Sequence, residues 1–334
     1  MKTEPARRVA GSILLLITLA AQTGMAQTPT VAPPTPEAHY RAFDKQGRRV
    51  TLQEVVEALG AADVLLVGET HNDPVAHLLE AELLRRADER FGRADSRGRR
   101  PVALSLEMFE RDVQLVLDEY LGGLIGERHF LSSSRPWKNY QTDYRPLVEY
   151  ARVQKLPVIA ANAPARYVSR VSASGPDSLA SLSAAAKGLL PPLPFPPASR
   201  EYGAKFTRFM RGDAPAHPTP NASTAQAPAN PHAAHGGASF LLEAQTLRDA
   251  SMGHSIAEFL KQRPDALVVH VNGKFHSEER LGVAEQLQHY RPRARVLVLT
   301  IVPGEGFPDF DAARVGGLGD FIILTDPALP RSSS

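Results

Sequence analysis

Short apolar runs alternate along the chain with segments that have helical spacing. Six of these runs are rich in valine, isoleucine and leucine, and they do not alternate apolar with polar residues. Such a composition is expected of strands that are covered on both faces. The runs occupy residues 63–68, 102–107, 157–162, 266–271, 295–301 and 321–324. This rhythm predicts an α/β fold with a mainly parallel β-sheet flanked by helices.

Helical spacing between these runs predicts three clear helices. The first begins at Asp73-Pro74, because aspartate caps a helix well and proline is tolerated in the first turn. A shorter helix is predicted over residues 145–155, and a long one over residues 240–262. Together the elements predict a single domain over residues 39–330, without internal repeats.

One long segment interrupts the rhythm. Residues 190–238 contain ten prolines and eleven alanines in 49 positions, a composition that buries little apolar surface. We therefore predict a flexible insertion, with a helical turn or two over residues 201–210. His217, His232 and His235 lie in this segment, either as metal-binding side chains or as residues of a solvated loop.

The N-terminus has the three parts of a secretory signal. Lys2, Arg7 and Arg8 form a basic start, and residues 9–21 are an uncharged, mostly apolar run of 13 residues. Small residues then precede Gln27 at the positions that a signal peptidase requires. A membrane-spanning helix needs about 20 apolar residues, so the run is short for an anchor, although an uncleaved anchor is the alternative.

These features divide the start of the chain into two segments. We predict a signal peptide at residues 1–26 and a proline-rich tether at residues 27–38. The mature protein is therefore expected to be exported, either to the periplasm or to the extracellular space.

Composition narrows the chemistry. Removing the first 26 residues takes the 38 basic and 36 acidic side chains to 35 of each, so the net charge gives no case for a nucleic-acid partner. The chain has no cysteine, which excludes disulfides, thiolate-ligated metals, a cysteine nucleophile and the acylated cysteine of a lipoprotein. Anchoring through a lipid is therefore not expected.

Polar residues cluster at the ends of the predicted strands. Glu69 and His71 follow the first strand, Glu107 ends the second, and His276 follows the fourth. The carboxyl ends of parallel strands share one edge of a sheet, and ligands bind in the crevice beyond it. We therefore expect these four side chains to lie together. For each one alone, a loop histidine or a helix-capping glutamate is the alternative.

The long helix and an aromatic block add candidate site residues. Arg248 interrupts an apolar stripe of the long helix. A buried arginine needs a partner, so Arg248 is expected to meet a carboxylate such as Glu107 or an anionic ligand, or else to extend into solvent. Trp137, Tyr140 and Tyr144 are spaced to share one helical turn, either as core packing or as a ligand platform.

Six ordered sequence blocks resemble the ChaN-like family of haem-binding uptake proteins, and the similarity covers roughly residues 43–324. The blocks are GETH at 68–71, LEMFERDVQ at 106–114, WKNYQTDYRP at 137–146, LPVIAANAP at 156–164, EAQTLRD at 243–249 and NGKFH at 272–276. The resemblance implies haem in the strand-end crevice and a homodimer that holds two haems face to face. Many members of this family are lipoproteins, a pattern from which this cysteine-free chain departs.

Haem requires an axial ligand, cations for its propionates and an apolar slot. Without cysteine, the axial ligand is histidine, tyrosine or methionine. The candidate ligands are His71, Tyr140, Tyr144 and His276. The candidate propionate partners are Arg111, Arg145 and Arg248, and the candidate walls are Met108, Phe109 and Trp137. The sequence singles out no one ligand and identifies no haem transport component.

The wider superfamily implies a second function. It includes Tiki-type metalloproteases and erythromycin-esterase-like hydrolases, whose paired Gly-x-x-His elements and carboxylate match residues 68–71, residues 273–276 and Glu107. A hydrolase would use Glu69, His71 and His276 to hold a divalent metal that activates water. Without a metal, His71 would deprotonate water while Glu107 orients it. A scaffold with a vestigial site is the third alternative.

The N-terminal pattern makes a prediction about the mature protein. N-terminal sequencing of the product should give a start near Gln27, and the product should occur outside the cytoplasm, because a basic start, an apolar run and a small-residue site follow in order. An intact Met1 on a membrane-bound product would establish the uncleaved anchor instead.

Overall fold

The computed structural model describes residue 1 and residues 37–93, 99–212 and 240–332. Except for its first residue, the predicted signal peptide lies outside the described residues, as do residues 27–36 of the predicted tether. The predictions made for these two segments therefore stay predictions.

One β-sheet forms the centre of the described part of the chain. Its strands are β1 (Tyr40–Asp44), β2 (Arg49–Val50), β3 (Val64–Glu69), β4 (Val102–Glu110), β5 (Val158–Asn162), β6 (Leu267–Gly273), β7 (Val296–Pro303) and β8 (Phe321–Thr325). They lie in the order β2-β1-β8-β7-β3-β6-β4-β5. Strand β1 runs antiparallel to β2 and β8, and the other neighbouring pairs are parallel.

The mainly parallel sheet and its six predicted strands are confirmed as β3 to β8. Strands β1 and β2 were not predicted. Strand β1 has the sequence YRAFD, in which only Ala42 and Phe43 are buried. A strand that is only half buried lacks the continuous apolar run that identified the central strands.

Helices cover both faces of the sheet. They are α1 (Leu52–Ala58), α2 (Pro74–Ala87), α3 (Gln114–Leu121), α4 (Glu127–Ser134), α5 (Arg145–Gln154), α6 (Ala165–Ser174), α7 (Ala184–Lys187), α8 (Arg200–Arg211), α9 (Leu241–Gln262), α10 (Val283–Tyr290) and α11 (Ala312–Val315). Side chains of α1 to α5 pack with Leu65 on one face, whereas α9 and α10 pack with Leu66 on the other. None of the described helices combines the length and the apolar character that crossing a membrane requires.

The three predicted helices are confirmed as α2, α5 and α9, and the start of α2 is fixed from two sides. Asp73 Oδ1 accepts hydrogen bonds from the backbone N–H groups of Val75 and Ala76, at 3.0 and 3.3 Å. Asp73 Oδ2 accepts a hydrogen bond from the Thr325 hydroxyl and pairs with Arg331 at 2.9 Å. These contacts join α2 to the end of β8, and they hold the short loop between β3 and α2.

The predicted flexible insertion is wrong for residues 190–212. Leu190 and Phe195 are buried in an apolar cluster with Leu247 of α9, and α8 is a helix of 12 residues with a buried Tyr202. The proline-rich composition was misleading because prolines can pack as apolar side chains while their fixed φ lowers the entropy lost on folding. The remainder of the insertion, with its three histidines, lies outside the described residues.

Candidate functional site

The four predicted strand-end residues lie together at one edge of the sheet. Glu69 is the last residue of β3, Glu107 lies near the end of β4, and His276 follows β6 in a short turn. Because β6 lies between β3 and β4, the three strand ends are adjacent, and His71 follows β3 in the same place. The site is therefore the crevice that the topology predicts.

Glu69 and His71 form a carboxylate–imidazole pair. His71 Nδ1 lies 2.8 Å from Glu69 Oε1. The Glu69 side chain is buried, whereas the His71 side chain is 35% exposed. Burial lowers the pKa of His71, but the hydrogen bond and charge of Glu69 outweigh it, so the pKa lies above its usual value. The pair orients a basic imidazole whose Nε2 has no hydrogen-bond partner among the described residues.

His276 is enclosed by two carboxylates. Its Nδ1 lies 2.6 Å from Asp249 Oδ1, and its Nε2 lies 3.4 Å from Glu107 Oε1. The amide of Gln245 is a further neighbour, with Nε2 at 3.1 Å from His276 Nε2. Glu107 Oε2 accepts a hydrogen bond of 2.7 Å from the backbone N–H of Gly273. Both ring nitrogens of His276 are therefore engaged within the protein.

These contacts shift the ionisation of His276 and Glu107 in opposite directions. Burial lowers the pKa of His276, but the charges of Glu107 and Asp249 outweigh it and raise the pKa to about 10. Burial raises the pKa of Glu107, but the charge and hydrogen bond of His276 hold that pKa far below its usual value. At neutral pH the enclosed half of the site therefore holds the imidazolium of His276 beside the ionised carboxylate of Glu107.

The two halves of the site meet at Gly273. A Cβ atom on this residue would lie 2.6 Å from the His71 ring and 3.7 Å from Glu107 Oε2. The first distance is shorter than any Cβ contact, so glycine lets the backbone approach the imidazole in this position, and a larger residue would displace the His71 ring.

Both predicted tyrosine ligands are buried in the core. Tyr144 Oη donates a hydrogen bond of 2.6 Å to Glu69 Oε1, and burial together with the charge of Glu69 raises the pKa of Tyr144 far above its usual value. Tyr140 packs edge-to-face on Phe109. Tyr144 therefore lies in the core behind Glu69, and its phenol is not exposed at the crevice. Residues Tyr140–Tyr144 form a π-helical turn, and it directs both phenols inward.

Of the three residues predicted to wall the haem slot, only Trp137 lies beside a residue of the crevice. Strand β4 continues through Met108 and Phe109, so both side chains are buried in the core and do not line the crevice. Trp137 is partly buried, and its ring contacts the His71 ring edge-to-face at 4.9 Å between centroids. Trp137 is therefore the predicted wall residue that lies beside an exposed site histidine.

Helix α8 supplies apolar surface that the sequence analysis missed. The rings of Phe209 and Phe275 pack at 5.0 Å between centroids, next to His276. Phe209 and Met210 are 46% and 54% exposed. Lys205 Nζ donates a hydrogen bond of 2.9 Å to the carbonyl oxygen of Phe275, which holds α8 against this part of the site. The proline bias of the surrounding segment obscured the amphipathic spacing of α8.

Arg248 lies beside the crevice without an ion pair among the described residues. Its Nη1 donates a hydrogen bond of 3.4 Å to Asn162 Oδ1, and Asn162 Nδ2 donates one of 3.1 Å to the carbonyl oxygen of Glu107. The predicted pair between Arg248 and the Glu107 carboxylate is not formed, because that carboxylate already binds His276 and a backbone N–H. Arg248 keeps its charge available to an anion.

The other two predicted arginines have partners elsewhere. Arg145 pairs with Glu127 at 2.6 Å. Arg111 donates a hydrogen bond of 2.7 Å to the Ser255 hydroxyl. Neither contact involves a residue of the crevice.

Two residues behind His276 were not predicted from the sequence. Asp249 follows Arg248 directly and is buried, and the Tyr202 hydroxyl donates a hydrogen bond to Asp249 Oδ2. The signal for Asp249 was its position four residues after Gln245, which puts both on the helix face that meets His276. Tyr202 could not be found in the same way, since its helix was not predicted in full.

His276 makes the stability of the fold depend on pH. Because its pKa is raised from 6.5 to about 10, protonated His276 stabilises the native state fully below pH 6.5, and this contribution is lost as the pH rises through 10. We expect His276→Gln to lower the free energy of unfolding by on the order of 3 kcal/mol at low pH. Above pH 10 the loss should be much smaller, since both chains then carry an uncharged side chain.

Urea unfolding at pH 6 and above pH 10 measures this difference. The matched control is His289→Gln, which changes an exposed histidine of α10 and should leave stability unchanged at both values. An equal loss for His276→Gln at both pH values would contradict the buried imidazolium.

The sequence matches a known protein family, and the fold resembles solved structures. Residues 55–287 match the family described as haem-binding uptake, Tiki superfamily, ChaN, and no curated protein matches the chain. The solved structure titled cofacial heme binding to ChaN of Campylobacter jejuni has a TM-score of 0.58 at 13% identity, and the match covers 86% of this chain and 97% of that one.

A second solved structure is more distant. Erythromycin esterase EreC in its open conformation has a TM-score of 0.42 at 13% identity, with 86% of this chain and 83% of that chain covered. This likeness is too loose to support an argument about activity. The match over residues 55–287 spans most of the sequence, and the mainly parallel fold agrees with it, so this chain belongs to the haem-binding uptake family of the Tiki superfamily, the ChaN family.

Proposed function

We propose that this chain is an exported protein of haem uptake that holds haem in the strand-end crevice, with His71 Nε2 as the axial ligand. The observation that carries the proposal is the Glu69–His71 pair. A carboxylate on one ring nitrogen fixes the imidazole and raises the basicity of the other nitrogen, as in many metal-binding histidines. Under this proposal haem is cargo, and the residues of the chain bind and orient it.

The alternative ligands are less suited to iron. His276 has both ring nitrogens engaged and is nearly fully buried. Tyr144 is buried and donates a hydrogen bond to Glu69, and a tyrosinate ligand would require the hydroxyl proton to leave against a pKa raised by burial. His71 combines an open nitrogen with an exposed side chain, which favours it.

Further features around the crevice fit a haem. Arg248 offers a cation with no carboxylate partner among the described residues, which suits a propionate. Trp137 offers an aromatic surface beside His71, and Phe209, which packs on the Phe275 ring, offers exposed apolar surface on α8. An apolar ligand with two carboxylates matches this combination of surfaces.

Two parts of the proposal concern the cell and the assembly. Export is supported by the basic, apolar and small-residue segments at the start of the sequence. A homodimer with two haems face to face is supported by family membership, since the Campylobacter jejuni ChaN structure is described as binding haem cofacially.

Haem titration of single-site variants tests the ligand. Ferric haem added to the purified protein should give the absorption spectrum of an imidazole-ligated haem. His71→Ala should abolish that spectrum, because it removes the iron ligand. Glu69→Gln should weaken binding by about 10-fold to 100-fold, because it removes the orienting carboxylate.

Two controls accompany this titration. His129→Ala changes an exposed histidine of α4 and should bind haem as the unaltered chain does. Tyr144→Phe should keep the spectrum, since its hydroxyl contacts Glu69 and not the crevice. Loss of the spectrum in Tyr144→Phe, with retention in His71→Ala, would assign the iron to the tyrosine and reject His71.

A hydrolase is the second candidate, and one observation favours it. The Glu69–His71 pair has the arrangement of a general base, with an oriented imidazole and an open Nε2.

Ester hydrolysis tests this second candidate. With p-nitrophenyl acetate as the probe, His71→Ala should lower the rate by about 100-fold to 10,000-fold, because a general base contributes that much. The exposed variant His129→Ala should keep the full rate. A rate that is the same in His71→Ala and in the unaltered chain would reject hydrolysis at this site, whatever the outcome of the haem titration.

A further inference from the structure

A buried cluster lies behind Glu69, on the side away from His71. It consists of Glu69 at the end of β3 and of His77 and Glu80 on α2. His77 Nδ1 lies 3.1 Å from Glu69 Oε2 and 3.3 Å from Glu80 Oε2. The ligand atoms of the three residues lie within 4.8 Å of one another, and all three residues are buried. No step of the proposed haem binding uses His77 or Glu80.

Two carboxylate oxygens in this cluster lack a hydrogen bond. Glu69 Oε2 and Glu80 Oε1 are buried and accept no hydrogen bond from the described residues. The other oxygen of Glu69 is already used, since Oε1 receives both His71 and the Tyr144 hydroxyl. A buried carboxylate oxygen without a donor is unfavourable unless a cation is nearby. The cluster therefore presents unused acceptors towards a common centre.

The Nδ1 atom of His77 faces the two glutamates of the cluster, where it could act as a metal ligand. On the other side of the ring, Nε2 lies 3.3 Å from Asp143 Oδ2 and 3.2 Å from the carbonyl oxygen of His71. Both of these atoms are acceptors, so Nε2 keeps its proton, and a metal ion between the glutamates would take the place of the proton on Nδ1. A histidine that donates one N–H to a carboxylate and offers the other nitrogen to a metal is the common arrangement in metal sites.

The charges also call for a cation. Glu69, Glu80 and Asp143 bring three carboxylates against His77. A divalent ion would balance both glutamates and leave His77 neutral.

We propose that Glu69 Oε2, His77 Nδ1 and a carboxylate oxygen of Glu80 form a binding site for a divalent transition-metal ion, with Zn²⁺ as the matching class. Nitrogen and oxygen ligands about 2.1 Å from a tetrahedral Zn²⁺ lie about 3.4 Å apart. The separations of 3.1 and 3.3 Å in the cluster are close to this value. Imidazole disfavours Mg²⁺ and Ca²⁺, which prefer oxygen ligands.

The site would be structural and would act on the crevice through Glu69. It would join β3 to α2 directly behind the carboxylate that orients His71. It is distinct from a metal held by Glu69, His71 and His276, because it uses the other oxygen of Glu69 and two residues that do not face the crevice.

Zn²⁺ binding to the full chain tests the proposal. Protein stripped with a chelator and dialysed against Zn²⁺ should retain one ion per chain by elemental analysis. His77→Gln and Glu80→Gln should each weaken Zn²⁺ binding by about 100-fold or more, because each removes a direct ligand. Glu80→Gln removes a buried charge, so it should fold even if His77→Gln is unstable.

Two matched variants complete the experiment. Glu82 lies on the same helix and pairs with Arg85 and Arg86. The Glu82→Gln variant should therefore keep the Zn²⁺ ion. His276→Gln changes the crevice and should also keep it. Zn²⁺ retention that is no greater in the unaltered chain than in Glu80→Gln would overturn the proposal, and so would an ion lost in His276→Gln but kept in Glu80→Gln. Haem titration of the same samples is independent, so failure to bind haem would count against the proposed function alone.

Discussion

The ionised carboxylate of Glu69, buried at the end of a central strand, is the constraint on which this end of the molecule depends. Burial raises its pKa, and the hydrogen bond and charge of His71, with His77 and Tyr144, outweigh that effect and hold the pKa below its usual value. A buried charge that loses its partners is strongly destabilising. The loop after β3, helix α2 and the π-helical turn before α5 must therefore keep their positions together, since each supplies one partner.

The crevice has two halves with different properties. His71 is exposed and has an open nitrogen, whereas His276 is enclosed by Asp249 and Glu107. The enclosed half fixes β4, β6 and α9 relative to one another through the contacts of His276 with Glu107 and Asp249. The half that contains His71 is where a ligand or substrate can bind. The similar Gly-x-x-His elements of the sequence thus perform unlike tasks, and burial decides which task each one has.

Much of the fold and half of the site followed from the sequence. Runs of apolar residues identified the six central strands, and the shared edge of a parallel sheet brought Glu69, Glu107 and His276 together. The direction in which side chains point was harder to predict from the sequence than the position of the strands. Helical spacing groups Tyr140 with Tyr144, but it does not tell which side of the turn faces the core.

The remaining errors have similar physical causes. Met108 and Phe109 follow Glu107, but the sequence does not tell that β4 continues as far as Glu110. Asp249 was missed because its importance lies in a partner 27 positions away. The packing of residues 190–212 was missed because a proline-rich composition indicates a lack of regular structure and says nothing about long-range apolar contacts.

The pairing of β3 with β6 has a consequence for how the protein is made. Val64 of β3 lies opposite Val268 of β6, so most of the chain must be synthesised before the middle of the sheet can close. Until then Glu107 and Asp249 lack His276, and a nascent chain cannot bury either carboxylate. Folding that depends on such distant pairings is slow. The centre of the sheet can therefore close only after about four-fifths of the 334 residues have been made.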